Sequence, residues 1–343
     1  MDIEFHYHMT WLIAARAGLP AKDTEILATA SQHTDDNSII FEIDKDMPTA
    51  YSNYISQTMN ILKPKAKLFR IYPIFHFIPG DPMAETAWRK AGEMHWLNTT
   101  PDSENANRVM DAALTSGNLY RIGIACHGYA DTWAHQNFTG YYNDFNSMTG
   151  PLSLAISNIG HAEAFHNPDW MALVWKDKRL IAGRVDNRSR FLTAAVYIFS
   201  KLAKFVDPGI TKKELKKREA TLKKDLDNCI GEQDQTNEYA EERIARYSNL
   251  ATEPEYGKAE ITQYDEDRWL EQAVNEKVRG LRDRSDLFLT RWDPLTDIYT
   301  WKDRENYKQT HWLRFQEAVK QHQDETWGIL KESNLKGLEL PEL

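Results

Sequence analysis

Residues 120–138 read YRIGIACHGYADTWAHQNF, and no other stretch constrains the fold of this chain as tightly. Ile122, Ile124, Ala125, Cys126, Ala130 and Trp133 make the run apolar, as a buried helix would be, yet it carries His127, Asp131 and His135 four residues apart. Four residues of helix turn about 400° and climb about 6 Å, which lines these side chains up in one stripe. Ionisable groups buried on such a stripe need partners or a metal. The stripe spans roughly 12 Å between its first and last Cα, whereas metal bonds to histidine and aspartate are about 2.0–2.2 Å long, so one ion does not reach all three. If all three are ligands, Asp131 bridges two ions about 3.5–4 Å apart, as in two-metal hydrolases. The bland alternative is a polar stripe that pairs internally or faces water.

A chain of 343 residues with 41% hydrophobic content can bury a large core, as one big domain or as two. Its net charge of −9 argues against generic binding of nucleic acid or of anionic membrane, while leaving room for a local cationic site built by metal ions. The two cysteines, Cys126 and Cys229, suggest no disulfide framework and are too few for a zinc-thiolate site; Cys126 reads as a small packing residue. The N-terminal run begins acidic and lacks the charged region and cleavage pattern of a signal peptide. No stretch approaches the ~18 apolar residues of a membrane span. A cytoplasmic location without a transmembrane segment is the expectation, with signal-independent export left open.

Apolar periodicity and capping residues predict a mainly α fold. Helices are expected over residues 9–17, 22–31, 84–96, 103–118, 153–165 and 187–206, besides the central one. Residues 39–43 and 68–77 are β-rich and read as short strands or extended buried segments. Residues 139–152 form a loop placed to rim a site. Beyond 207 the character shifts to charged helices over 212–247 and amphipathic ones over 265–284 and 306–331. Two units follow: residues 1–206 as a helical, metal-binding, catalytic-like domain, and 207–343 as a helical extension packed on it without catalytic vocabulary.

Nine of the eleven histidines fall within residues 1–166, which points to a function in the N-terminal half. His6 and His8 share one face if extended. His76 interrupts an apolar IFHF run, and His161 follows Gly160 in an apolar segment. His33 neighbours Asp35 and Asp36, whose cluster also suits a solvated helix end. His95 suits packing or substrate contact, while His311 and His322 lie on charged helices and are expected in solvent. A His/Asp set with little thiolate suits zinc, with manganese or iron as alternatives.

Taken in order, these pieces resemble the zinc-dependent phospholipase C and single-strand-specific nuclease superfamily, a helical group with a trinuclear zinc cluster. The likeness covers residues 1–170. His6 or His8 matches that group's N-terminal histidine, Asp36 in ATASQHTDDN its aspartate, and His76 in FHFIPGD its histidine in an aromatic segment. His127 and Asp131 in GIACHGYAD match the core of its H-x3-D-x5-H helix, and His161 in NIGHAEAF is the last candidate. Three departures stand out. The family's mature N-terminus is a tryptophan whose amine and carbonyl bind metal, whereas this chain begins Met1-Asp2, so that site is expected to be rebuilt from His6 and His8 or lost. His135 comes two residues earlier than the third helical ligand. Phe165 stands where an acid is expected after His161, leaving Glu163, His166 or Asp169 as substitutes.

The resemblance implies hydrolysis of a phosphoester by two or three metal ions. In that scheme Asp131 bridges, His127, His76 and Asp36 complete one shell, His6 or His8 serves the second ion, and Asp35 orients the attacking water as general base. Arg121 and Arg70 lie nearest the motifs for a phosphate. Two rivals are an HD-type phosphohydrolase, for which His33-Thr34-Asp35 is the closest approach to the required His-Asp pair, and a non-catalytic metal-binding or interaction protein with a closed ligand shell.

Overall fold

The computed structural model describes residues 1–58, 68–148, 159–279 and 297–333, and the architecture is mainly helical. A π-helical turn, Glu4–Met9, runs directly into α1 (Thr10–Ala17), which stops where Gly18 takes a left-handed conformation, φ 109°. Pro20, in extended backbone, starts α2 (Ala21–Asp36). After a short β-hairpin, β1 (Glu42–Ile43) and β2 (Tyr51–Ser52), comes a second π-helical turn, Tyr72–His76, where extended chain was expected. Next, α3 (Glu104–Ser116) is capped by Ser103, whose hydroxyl accepts from Ala106 N at 3.2 Å, and closes on Gly117.

At the centre is α4 (Leu119–Ala134), opened by Asn118, whose side chain accepts from Tyr120 N and Arg121 N. Every residue from Tyr120 to Ala134 is buried. A helix apolar on all sides has to be surrounded. The neighbours of α4 are α2, α3, the Tyr72–His76 turn, α5 (Asn187–Val206) and α9 (His311–Glu332). Two glycines let them close in. A Cβ on Gly123 would lie 2.4 Å from Leu27 O of α2, and one on Gly128 would lie 2.9 Å from Phe75 O.

Helices α6 (Lys212–Ile230), capped by Thr211, and α7 (Ala240–Ala251) pack against α5 and the N-terminal turn. A short α8 (Arg268–Ala273) leads straight into β5 (Val274–Lys277), which pairs with β6 (Ile298–Trp301). The sheet order is β2-β1-β6-β5, with β1 and β6 parallel through Ile43 opposite Tyr299. A separate hairpin joins β3 (Val174–Lys176) to β4 (Arg184–Asp186). Both large cores cross the expected boundary at residue 206. Leu222 and Tyr247 pack in one cluster with Leu12 and Ile198, and Trp312 and Phe315 in another with Phe75 and Ile124.

Residues 84–96 are not the expected helix, since only the 3₁₀ turn Glu85–Ala87 forms. Arg89 is drawn inward, where its guanidinium donates to Phe145 O at 2.6 Å and Asn137 O at 2.9 Å, and an extended backbone delivers it there. The helix expected over 265–284 is shortened to α8 because Val274 already pairs in the sheet; residues 280–284 of that stretch, and 153–158 of another, lie outside the described residues. Among the described residues no helix is long and apolar enough to cross a membrane.

His311 and His322 do not stand in solvent. His311 Nδ1 pairs with Tyr120 OH at 2.6 Å, and His322 is fully buried, stacked on Phe75 with centroids 5.5 Å apart. Burial, aided by Arg121, pushes the pKa of His322 down to about 3, so the folded protein holds it neutral while the unfolded chain protonates it below about 6.5. The resulting stability is complete above that value and is lost as pH falls towards 3, at about 1.4 kcal/mol per pH unit. His322→Leu is therefore expected to escape roughly 2–3 kcal/mol of the stability that the parent loses between pH 6.5 and 4.5. Urea unfolding of both proteins at the two pH values measures it, and identical losses would show that His322 carries no such linkage.

Candidate metal centre

The side chains that meet at α4 come from five segments. His127 and Asp131 project from α4, Asp35 from the last turn of α2, His76 from the end of its π-helical turn, and His6 from the N-terminal turn; His135 follows α4, with His161 and Asp169 in the segment beyond Ile159. They form three adjoining groups: Asp35, His76 and His127; His6, His127 and Asp131; and His135, His161 and Asp169.

The first group, with Asp131, is the tightest. His76 Nδ1 and His127 Nε2 are 3.0 Å apart, and both lie 3.6 Å from Asp35 Oδ1. Asp131 Oδ2 is 3.4 Å from the first nitrogen and 3.2 Å from the second. Four ligands bonded at about 2.0–2.1 Å to a tetrahedral ion stand about 3.3 Å from one another. The other oxygen of Asp131, Oδ1, lies 3.2 Å from His6 Nε2 and 2.7 Å from the α-amine of Met1. Its two oxygens thus face two groups. In the third, His135 Nε2 and His161 Nε2 lie 3.2 and 3.6 Å from the oxygens of Asp169, and the Met1 amine lies 3.4 Å from Asp169 Oδ1.

Backbone carbonyls set the orientation of three rings. His76 Nε2 donates to Ser56 O, His135 Nδ1 to His76 O and His161 Nδ1 to Phe165 O, each at 2.9 Å. A carbonyl oxygen only accepts, so in a neutral imidazole the opposite nitrogen is left with its lone pair, and that nitrogen faces the cluster. Phe165 holds its carbonyl there at a backbone cost, with φ 52° and ψ −131°. Both ring nitrogens of His6 and Nδ1 of His127 make no hydrogen bond although they are buried. Orphaned nitrogens and unshared lone pairs directed at carboxylates are the donor set that a divalent ion takes.

Charge at the cluster is balanced only from within. Burial favours the neutral form of Asp131, but His135, the Met1 amine, His127 and His6 overcome it and hold its carboxyl well below the usual range. Asp35 and Asp169 are lowered against burial in the same way, by His127, His6 and His76 in one case and by His161 and the amine in the other. The amine itself is destabilised by burial, yet Asp131, Asp169 and Asp35 raise its pKa to about 11. His6 is pushed down to about 3 by burial, His127 and the amine. Metal-free, the cluster carries a protonated amine where carboxylates converge.

Several positions differ from expectation. Asp36 is outside the groups and Asp35 inside, since Asp35 falls four residues after Ser31 on the α2 face packed against Gly123, while Asp36 is rotated away to Gln32 Nε2, 3.2 Å, and Tyr264 OH. Asp35 is thus placed as a ligand candidate, where a free general base was expected. His8 also stays out. In helical backbone residues two apart point to opposite sides, and His8 packs edge-on against Tyr7. His135 and His161 do come together, with Asp169 in place of the missing acid, because the 3₁₀ turn Ala162–Ala164 and Phe165 fold the chain back. Arg121 is committed to Glu325 of α9, Nη1 to Oε1 at 2.9 Å. His33 packs on Trp269 and Phe315, and His166 on Trp170.

Arg243, on α7, was not read as part of any site. It is buried, grips both oxygens of Glu4 at 2.8 Å and donates to Asp234 at 2.9 Å. Glu4 lies two residues before His6 and three after Met1, so this ion pair seats the turn that delivers both. The acidic start MDIEF was its only trace in the sequence.

The fold and the cluster define a mainly helical protein, with small sheets, built round a buried His/Asp cluster. The chain belongs to a family of unknown function, DUF6765, whose model matches residues 1–330. No curated protein and no solved structure matches it.

Breaking a buried ion pair by removing one partner costs about 3–5 kcal/mol. Arg243→Met is expected to lose that much stability and to retain less metal than the parent, which denaturant unfolding and elemental analysis would register. Unchanged metal content would show that the N-terminal turn keeps its seat without the arginine.

Proposed function

We propose that the protein is a metal-dependent hydrolase, most simply a phosphoesterase, with two or three divalent ions held by His6, Asp35, His76, His127, Asp131, His135, His161 and Asp169. The observation that carries this reading is that His76 Nδ1 and His127 Nε2 lie 3.0 Å apart and each lies between 3.2 and 3.6 Å from an oxygen of Asp35 and of Asp131. They are spaced as ligands of one ion, with Asp131 shared with the neighbouring group. Zinc suits the donors best, and manganese or iron would also accept them. Ions held there would lower the pKa of bound water and neutralise phosphoryl oxygens.

The protein's part is to fix the ligands and leave one side open. His6, His127 and Asp131 are sealed, whereas the side chain of Asp35 is 26% exposed and that of His161 20%. A separate cleft of about 610 Å³ opens where Asp36 turns away, between Ile3, Gln32, Tyr264 and Arg268, and no residue of the cluster lines it. A non-catalytic relative would need the same ligands with the open side closed.

His127→Ala and Asp131→Ala are each expected to lose most of the bound metal and all chelator-sensitive hydrolysis of bis(p-nitrophenyl) phosphate, while His8→Ala and Asp36→Asn keep their metal. Elemental analysis and a phosphodiesterase assay decide it. Full metal content in Asp131→Ala would overturn the bridging role, and a metal-replete parent inert towards phosphomonoesters and phosphodiesters would favour the non-catalytic reading.

A further inference from the structure

Five large apolar side chains stand exposed on two adjoining loops: Met83 (66%), Trp88 (52%), Met94 (46%), Trp96 (49%) and Ile181 (60%). The loops are tied by an antiparallel bridge of Arg89 to Leu180, with Ile181 N donating to Trp88 O at 3.1 Å and Lys90 N to Arg179 O at 3.0 Å. Arg89 and Leu180 are both buried, at 4% exposure. Side chains alternate across paired extended backbone, so Trp88 and Ile181 lie side by side on the outer face, with Lys90 next to them. Trp88 Nε1 donates to Met83 O at 3.2 Å, which brings Met83 to the same place. Further on, His95 turns inward, its ring 5.3 Å from that of Phe145 and its Nδ1 accepting from Leu97 N, and Met94 and Trp96 are left outside on either flank.

This surface is mounted on the metal centre's rim. The guanidinium of Arg89 lies 3.3 Å over the ring of Phe145, and that of Arg179 lies 4.2 Å over Phe138, whose ring is 6.0 Å from His161. With Arg89, Arg179 and Asp177 turned inward, residues 81–97 and 176–184 expose four cationic side chains, Lys90, Lys176, Lys178 and Arg184, beside three acidic ones, Asp81, Glu85 and Glu93, in a protein of net charge −9. Lys90, Lys176 and Lys178 have no carboxylate partner among the described residues, and Lys90 Nζ rests on Lys178 O.

We propose that this patch docks the protein on an anionic lipid surface. Tryptophan and methionine enter the boundary between headgroups and acyl chains, and lysines extend their amines to lipid phosphates. A contact between copies of this chain fits less well, because lysine is depleted at protein interfaces and here surrounds the apolar residues. The docking surface does not rest on the phosphoesterase reading.

The test is co-sedimentation of the full chain with vesicles of phosphatidylcholine alone and of phosphatidylcholine mixed with phosphatidylglycerol. The parent is expected to pellet with the mixed vesicles and to be released by salt. Trp88→Ser/Trp96→Ser should weaken binding at least tenfold with metal content unchanged, and Lys90→Glu/Lys178→Glu should remove the preference for phosphatidylglycerol without touching the apolar residues. Absence of pelleting with either vesicle overturns the proposal. So does a parent that light scattering finds dimeric and the tryptophan variant monomeric, since the patch would then be a protein interface. Vesicle binding that survives while phosphoester hydrolysis is absent would overturn the functional reading and leave the docking surface in place.

Discussion

The structure depends on one carboxylate. Asp131 is buried at 1% exposure in the middle of an apolar helix, a position that is costly for a charge without compensation. Compensation arrives from outside its own helix as well as within it, with His76 and His127 on one oxygen and His6 and the Met1 amine on the other. Asp35 and Asp169 then add two more carboxylates within reach of the same groups. Together they bring three buried or half-buried carboxylates into one cluster of histidines. A divalent ion would supply the positive charge they call for, and the orphaned Nε2 of His6 and the cluster-facing Nε2 of His127 are what it would meet.

Meeting that need explains features that look unrelated. Gly123 and Gly128 allow α2 and the Tyr72–His76 turn to approach α4 closely enough for Asp35 and His76 to reach it. Ser56 O and His76 O hold imidazoles by one nitrogen so that the other is presented correctly. Arg243 reaches from α7 to Glu4, and the chain beyond residue 206 therefore supports the cluster, although among the described residues it adds no side chain to it. An extension read as added helical mass turns out to hold one wall of the cluster in place.

The sequence made the central helix legible because its signals are local. Apolar flanks, the four-residue spacing of His127, Asp131 and His135, and the caps at Ser103 and Asn118 all act within one or two turns. What escaped was decided by phase or by distance. Choosing Asp35 over Asp36 requires knowing which face of α2 packs on Gly123, a matter of 100° that composition does not reveal. His6 and His8 part company because the first turn is helical, where alternation would have kept them together. Asp169 enters through a fold-back at Phe165, eight residues after His161, and its partner spacing has no helical period. Arg89 looked like one more residue of an amphipathic helix, and its inward pull is what unwinds residues 84–96.

Burial also distinguishes the parts of the cluster in a way that bears on its use. A centre kept only for stability gains from a closed shell, since each ligand shielded from water strengthens the electrostatics it takes part in. Here the shielding is uneven. The side facing α4 is dry, with His6 and His127 at 0%, while the side chains of Asp35 and His161 meet solvent at 26% and 20%. On the dry side Asp131 keeps its charge only through His135, the Met1 amine, His127 and His6, which overcome the effect of burial, and on the other side Asp35 and His161 stay in contact with water. A purely structural centre would gain by covering Asp35, which at 26% is the most exposed side chain of the cluster.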